Sequence, residues 1–450
     1  MRRALPRAYR LVQVNHMIRN FCLALSLVLS AQFAAGQQSS IKPTIREFLV
    51  LPQKRSSMVQ AITGVRLVDG TGVAPKTEMT VLVQNGRIQA IGSSNTTAVP
   101  EGAATVDGSG LTVVPGLMDS HFHLDSDGTL PGLYLSHGVT SVRDPGAWIE
   151  AYDGVRKSKE TQPRLFLAGP HIDGTQPAYP ADSTVVRDLT ETRLAVERNL
   201  NDGASVIKAY FRLPLAFIHE VTRVAHERGV PVTAHLEIVD AGDAIRAGID
   251  GLEHVTSLGV ALLPAREGEA YRQAVLADNA ARSEGRYRVW SQLDLKSERA
   301  TNLLKLMSSR NVTLSPTLAV FERREGDKGA TDMHVQGFRQ MVALTGQAYR
   351  AGVHVVVGSH SSVPHAERGW AYQREMELLV EAGLTPLQAI QAGTLENAKF
   401  FRVENRLGSI EVGKQADLVL VEGNPSQDIT LMRRVKKVMI DGTWVEQGDK

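Results

Sequence analysis

The chain has 450 residues, 43% of them hydrophobic and 22% charged, which excludes a disordered or collagen-like polymer. That length suffices for one large domain and a smaller one. With 50 basic against 48 acidic residues, no excess of positive charge points to a nucleic-acid partner.

The first 36 residues read as a targeting segment rather than as part of a fold. Arg2, Arg3, Arg7, Arg10 and Arg19 precede the apolar run 21–35, and Ala34-Ala35-Gly36 offers small residues for cleavage. The pattern predicts a secretory signal peptide over 1–36 and export to the periplasm or the medium, with Met17 as an alternative start. The apolar run is shorter than a bilayer needs, so no stable membrane anchor is expected. Removing the segment takes away five arginines and leaves 45 basic against 48 acidic residues, a net charge of −3. It also removes Cys22, the one cysteine, so the mature chain has no disulfide, cysteine zinc site or thiol nucleophile.

Residues 37–57 are expected to be a linker. Over 58–110 short strands follow, with Asn85-Gly86 between Val81–Gln84 and Arg87–Ile91 as a two-residue hairpin signal. The segment 404–450 repeats this character, in 417–421, 435–440 and 444–445. Each end is too short for its own core, so the two are predicted to combine into one small composite β-sandwich. Between them, over 111–403, apolar runs alternate with amphipathic stretches such as Pro214–Arg228 and Arg368–Ala382. Candidate strands at 112–118, 140–143, 164–168, 205–209, 231–235, 251–254, 312–315 and 353–358 predict an α/β fold, a (β/α)₈ TIM barrel. The polar stretch from Leu263 to Trp290 reads as an excursion over one barrel face, either a lid or a plain surface insertion.

Chemistry in such a barrel sits at the C-terminal ends of the strands. The first strand ends in His121-Phe122-His123, whose alternation sends both imidazoles one way and Phe122 the other. The fourth carries Lys208, the fifth ends in His235, the sixth in His254 and the eighth in His360. Imidazole is a ligand for zinc and its neighbours, and one rim would gather these strand ends into a metal site.

These residues carry a resemblance to the metal-dependent amidohydrolase superfamily, within it to the imidazolonepropionase-like group that includes Xaa-Pro and Xaa-Arg dipeptidases. The resemblance runs through Leu67-Val68-Asp69-Gly70-Thr71-Gly72, Pro115-Gly116-Leu117-Met118-Asp119 before the His-x-His, and Gly138-Val139-Thr140-Ser141-Val142-Arg143-Asp144. Ser315-Pro316-Thr317-Leu318, Glu377 to Pro386, and Gly408-Ser409-Ile410 to Ala416-Asp417-Leu418 extend it. It implies one or two divalent metal ions, zinc being the first choice. His121 and His123 would hold the buried ion, His235 and His254 the outer one, and a CO₂-derived carbamate on Lys208 would bridge them. Arg143, Asp144, Tyr210 and His365 are expected at the rim, where they could orient substrate.

The chain departs from the family at strand eight, where His360 replaces an aspartate that binds metal and moves protons. Imidazole can act as general base and acid near neutral pH, which makes His360 the expected proton shuttle. It could instead be an extra ligand, or mark an inactive relative. The resemblance thus implies an exported hydrolase in which metal-activated water cleaves an amide, in a dipeptide or N-acyl amino acid. The alternatives are a lactone or cyclic-amide hydrolase and a catalytically inactive metal-binding protein. The expected partner is a small molecule or short peptide; because relatives commonly associate, a homo-oligomer is also possible.

Overall fold

Asn85 and Gly86 both take positive φ, 53° and 79°, as a tight hairpin turn requires. They join β2 (Lys76–Gln84) to β3 (Arg87–Ser93) in the computed structural model, which describes residues 45–51 and 56–446. The expected signal peptide lies outside the described residues. Strands β1 (Gln60–Leu67), β4 (Ala104–Asp107) and β5 (Leu111–Pro115) complete the N-terminal set.

The C-terminal strands β16 (Leu418–Glu422), β17 (Val435–Ile440) and β18 (Thr443–Trp444) join it through an antiparallel ladder that sets Leu418 opposite Pro115. The composite unit expected from the two ends therefore forms as one eight-stranded sheet, ordered β18-β17-β16-β5-β1-β2-β3 with β4 also on β1. Register shifts in β1 let its first half pair with β4 and its end with β5. Ile62, Val81, Ile88, Val113, Leu418 and Met439 form its buried core, so neither terminal segment could fold without the other.

Eight short parallel strands follow the predicted series: β6 (Leu117–Asp119), β7 (Val139–Asp144), β8 (Arg164–Leu167), β11 (Ile207–Ala209), β12 (Val232–Ala234), β13 (Gly251–Glu253), β14 (Thr313–Ser315) and β15 (His354–Val355). Two strands that the sequence did not announce, β9 (His171–Asp173) and β10 (Ser183–Val185), extend the sheet beside β11. The ladders fall into a three-stranded and a seven-stranded sheet. Backbone bonds from Ser120 N–H to Val357 C=O (3.0 Å) and from Ser205 N–H to Leu167 C=O (2.8 Å) cross the gaps between them. The architecture is the repeated βα arrangement expected of a (β/α)₈ barrel, with helices between strands. Helix Leu215–Glu227 shows why: Ile218, Val221, Val224 and Ala225 recur at helical spacing and are buried.

The predicted first strand breaks at Gly116, leaving 111–115 in the composite sheet and 117–119 in the barrel. A Cβ at Gly116 would lie 2.2 Å from Thr140 Oγ1, so only glycine fits this crossing. Part of the expected linker is packed rather than free: Phe48 exchanges backbone bonds with Leu165 at 3.0 and 2.8 Å. Buried Arg164 grips Asp417 through two bonds, of 2.9 and 3.1 Å, and so ties the barrel to the C-terminal strands. Among the described residues, no helix is long and apolar enough to cross a membrane.

Candidate functional site

Just past the end of β6 the side chains alternate as the sequence implies. His121 and His123 face one way with Nε2 atoms 3.1 Å apart, and Phe122 packs on the other side, edge-on to Tyr134. His254 follows β13, His235 follows β12, and His360 lies in the loop after β15. One ring nitrogen from each of His121, His254 and His360 falls within a 4.8 Å cluster. His235 and His254 have ring centroids 4.5 Å apart, and His123 and His360 4.7 Å. Lys208, on β11, opens to the same pocket, of about 790 Å³.

Two of these histidines sit on strained backbone. His254 has φ 63° and His360 φ 61°, both in the region that side chains avoid. Each is held by a backbone bond, His254 N–H to Ser315 C=O at 2.8 Å and His360 N–H to His121 C=O at 2.6 Å. Gly358 allows the approach, since a Cβ there would come within 2.8 Å of His121 Cβ.

A second layer of side chains fixes the rings. His121 Nδ1 lies 2.7 Å from Glu253 Oε2, while Glu253 Oε1 accepts from Arg143 (2.6 Å) and Thr233 (2.6 Å). His254 Nδ1 lies 2.6 Å from Thr317 Oγ1. His235 Nε2 lies 3.2 Å from Glu237 Oε1, and its Nδ1 is buried without a partner among the described residues. Asp119 accepts the backbone N–H groups of His121 and Ser359 at 3.0 and 2.9 Å, joining the first and last strand ends.

Burial, reinforced by Lys208 and neighbouring histidines, holds His121 and His254 well below the usual imidazole range. Burial also brings His123 to about 4, and His235 and His360 to about 3. All five rings are therefore neutral at pH 7 and carry the lone pair a metal needs. The same burial, with Arg143 nearby, pushes the Lys208 amine down to about 7.

The donor set suits a metal ion. Two nitrogens at ~2.1 Å from a tetrahedral ion stand ~3.4 Å apart, close to the spacing of the His121 and His123 Nε2 atoms. The unpaired Nδ1 of buried His235 also fits, because an orphaned polar atom in so dry a place needs a partner.

Two expected rim residues lie elsewhere. Arg143 is 2% exposed and turns into the barrel interior, donating Nε–H to Ser120 C=O at 2.8 Å and lying over Phe400. The carboxylate of Glu253 draws it inward, away from the pocket. His365 pairs with Asp327 at 2.9 Å and is not among the pocket-lining residues. Tyr210 does line the pocket, stacked on His171 at 4.3 Å. Asp144 accepts bonds from Leu124, Gly146, Ala147 and Tyr152, a cap that shapes the wall.

Sequence reasoning passed over Glu253, Thr317, Asp119, His171 and Glu237. Of these, Glu237 had a signal: His235-Leu236-Glu237 repeats the alternation of His121-Phe122-His123.

A profile of the Amidohydrolase family matches residues 134–445. The chain belongs to that family. It is similar to an adenine deaminase of Moorella thermoacetica, 23% identical over 393 residues that cover 82% of this chain and 54% of the relative. The chain thus spans about half the length of that curated relative. Among solved structures it is similar to a putative prolidase from Bifidobacterium longum, at 24% identity and TM-score 0.69, covering 87% of this chain and 95% of the other. A Xaa-Pro dipeptidase with methionine bound in its active site is similar at 23% identity and TM-score 0.68, with 86% and 100% covered. At such identities the likeness establishes the shared fold.

Proposed function

We propose that this chain is an exported, metal-dependent amidohydrolase that cleaves the amide bond of a dipeptide or N-acyl amino acid. The observation that carries the reading is the convergence of His121, His254 and His360, with His123 and Lys208 lining the same pocket and the His235 ring centroid 4.5 Å from that of His254. Divalent ions bound there, zinc foremost, would supply hydroxide near neutral pH and polarise a carbonyl. His121 and His123 would hold one ion, and His235 and His254 a second.

Lys208 is the residue that would bridge them, as a carbamate. A lysine carbamate forms from the neutral amine, and an amine titrating at about 7 is substantially neutral at physiological pH. Burial thereby prepares Lys208 for a reaction that an exposed lysine would rarely undergo. Of the three roles open to His360, its place in the nitrogen cluster favours that of ligand, with the proton shuttle as the role to test against it. Tyr210, with Trp148 and Tyr179 on the pocket wall, would hold the substrate, and the pocket volume suits a dipeptide-sized molecule. The names of two fold neighbours, a putative prolidase and a Xaa-Pro dipeptidase, agree with this substrate class.

Elemental analysis of protein purified without chelators tests the reading. One or two ions per chain, together with hydrolysis of dipeptides or N-acyl amino acids, is the expected result. No ion after addition of metal and bicarbonate would overturn it. His360→Asp separates two of these roles: a proton shuttle adapted to histidine predicts activity lowered or little changed, and an inactive relative predicts none before the change and some after it.

A further inference from the structure

The excursion from Leu263 to Trp290 folds as two helices, Ala265–Ala277 and Ala281–Gln292, and both reach back to the site. Their target is Glu237, two residues beyond His235 and 2% exposed. Tyr271, on the first helix, donates its hydroxyl to Glu237 Oε2 at 2.6 Å. Arg286, on the second, donates Nε–H to Oε1 at 2.9 Å, with Nη2 at 2.8 Å from the same oxygen.

A carboxylate held by a guanidinium and a phenol can only accept. The remaining neighbour of Glu237 Oε1 is His235 Nε2, at 3.2 Å, which must then carry the ring hydrogen. Its lone pair is left on Nδ1, the nitrogen that has no partner among the described residues. We propose that Glu237, clamped by Tyr271 and Arg286, is a positioning residue that locks His235 in its Nε2–H tautomer and frees Nδ1 as the ligand atom. The inference rests on the metal-dependent reading above for the use of that nitrogen, and on geometry alone for the tautomer.

The consequence concerns the excursion. Neither a mobile lid nor a neutral surface insertion accounts for a partly buried arginine paired with a buried carboxylate that ends on a candidate ligand. The two helices are an outer support of the site, and opening them would break the Arg286–Glu237 pair and release the His235 ring. Glu253 does the equivalent work for His121, but its partners come from the barrel strands.

Two measurements on the full chain test the proposal. The first is histidine-selective ¹⁵N NMR of the metal-free protein, with the His235 signals identified by their loss in His235→Gln. The native chain should show hydrogen on Nε2, and Glu237→Gln should populate both tautomers. The second is zinc affinity by competition with a chromogenic chelator. Glu237→Gln and Arg286→Met should weaken one site by ~10–100-fold, and Tyr271→Phe, the mildest change, by less. Gln273→Ala, on an exposed face of the first helix, should leave it unchanged. An Nδ1–H tautomer in the native chain overturns the proposal. So do unchanged tautomer and zinc affinity in folded Glu237→Gln and Tyr271→Phe. A native chain that binds no zinc yet shows the Nε2–H tautomer, lost in Glu237→Gln, would instead overturn the hydrolase reading and leave the positioning role standing.

Discussion

The inner and outer walls of the site orient histidines with the same device, a buried carboxylate, but build it differently. On the inner wall Glu253 receives Arg143 and Thr233 from neighbouring and facing barrel strands and turns His121. On the outer wall Glu237 receives Tyr271 and Arg286 from helices outside the barrel and turns His235. The inner arrangement is set by strand register, which the whole barrel enforces. The outer one depends on an excursion that the barrel does not need for its own ladders. Inner changes should therefore act first on stability, and outer changes first on the geometry of the site.

The sharpest break should come from Glu253→Ala. It leaves the Arg143 guanidinium buried at 2% exposure without its carboxylate. Removing one partner of a buried pair costs about 3–5 kcal/mol. Urea unfolding should show a loss of that order, whereas the outer-wall Glu237→Gln should lose less stability for a comparable loss of metal. Equal losses of stability at the two walls would erase the distinction between them.

Gly358→Ala probes the close packing on which the inner wall depends. Its Cβ would lie 2.4 Å from Ser315 Oγ and 2.8 Å from His121 Cβ. Overpacking of this kind costs about 1–3 kcal/mol, and thermal unfolding should register it together with weakened zinc binding.

A third support adds a pH signature. Glu375 accepts the N–H groups of Leu318 and Ala319 at 2.9 and 2.8 Å, next to the Thr317 that contacts His254. Burial raises its pKa from the ordinary 4.5 to about 8. The folded chain thus keeps a proton that the unfolded chain releases near 4.5, and the contribution of this group to stability falls as pH rises through that interval. One proton corresponds to a slope of at most ~1.4 kcal/mol per pH unit. The buried neutral histidines act with the opposite sign below 6.5, so the decline should appear as the difference between the native chain and Glu375→Gln when denaturation is followed from pH 5 to 8, even though the amide satisfies only one of the two N–H groups. A difference between native chain and Glu375→Gln that does not fall with pH would place the Glu375 proton elsewhere.

The smallest effect expected is that of Tyr271→Phe. It deletes one hydrogen bond to a charged acceptor but keeps the Arg286 pair, so unfolding should shift by about 1–2 kcal/mol or less.

Much of the barrel was legible because its signals are local. Each strand is a short apolar run, five of the eight carry a candidate ligand at the end, and period-two alternation predicts that His121 and His123 share a face. The hairpin at Asn85-Gly86 and the helix near 215–227 were legible for the same reason. Arg143 and His365 were not, because a charged residue near a strand end can turn outward or inward. Glu253 on another strand, and Asp327 in a distant loop, decided their directions. The predicted strand 112–118 likewise read as one element, although Gly116 divides it between two sheets.

By itself, the sequence determined the eight main barrel strands with helices between them, the strand-end histidines with Lys208, and the family. These depend on residue type and short-range periodicity, which the chain carries wherever it folds. Only the tertiary structure decided which ring nitrogen each carboxylate or hydroxyl occupies, that Arg143 is interior, and that Tyr271 and Arg286 reach Glu237. Apart from His235–Glu237, two positions apart, those outcomes hang on contacts between residues 23 to 132 positions apart. Backbone closure and burial fix such contacts, and no local pattern encodes them.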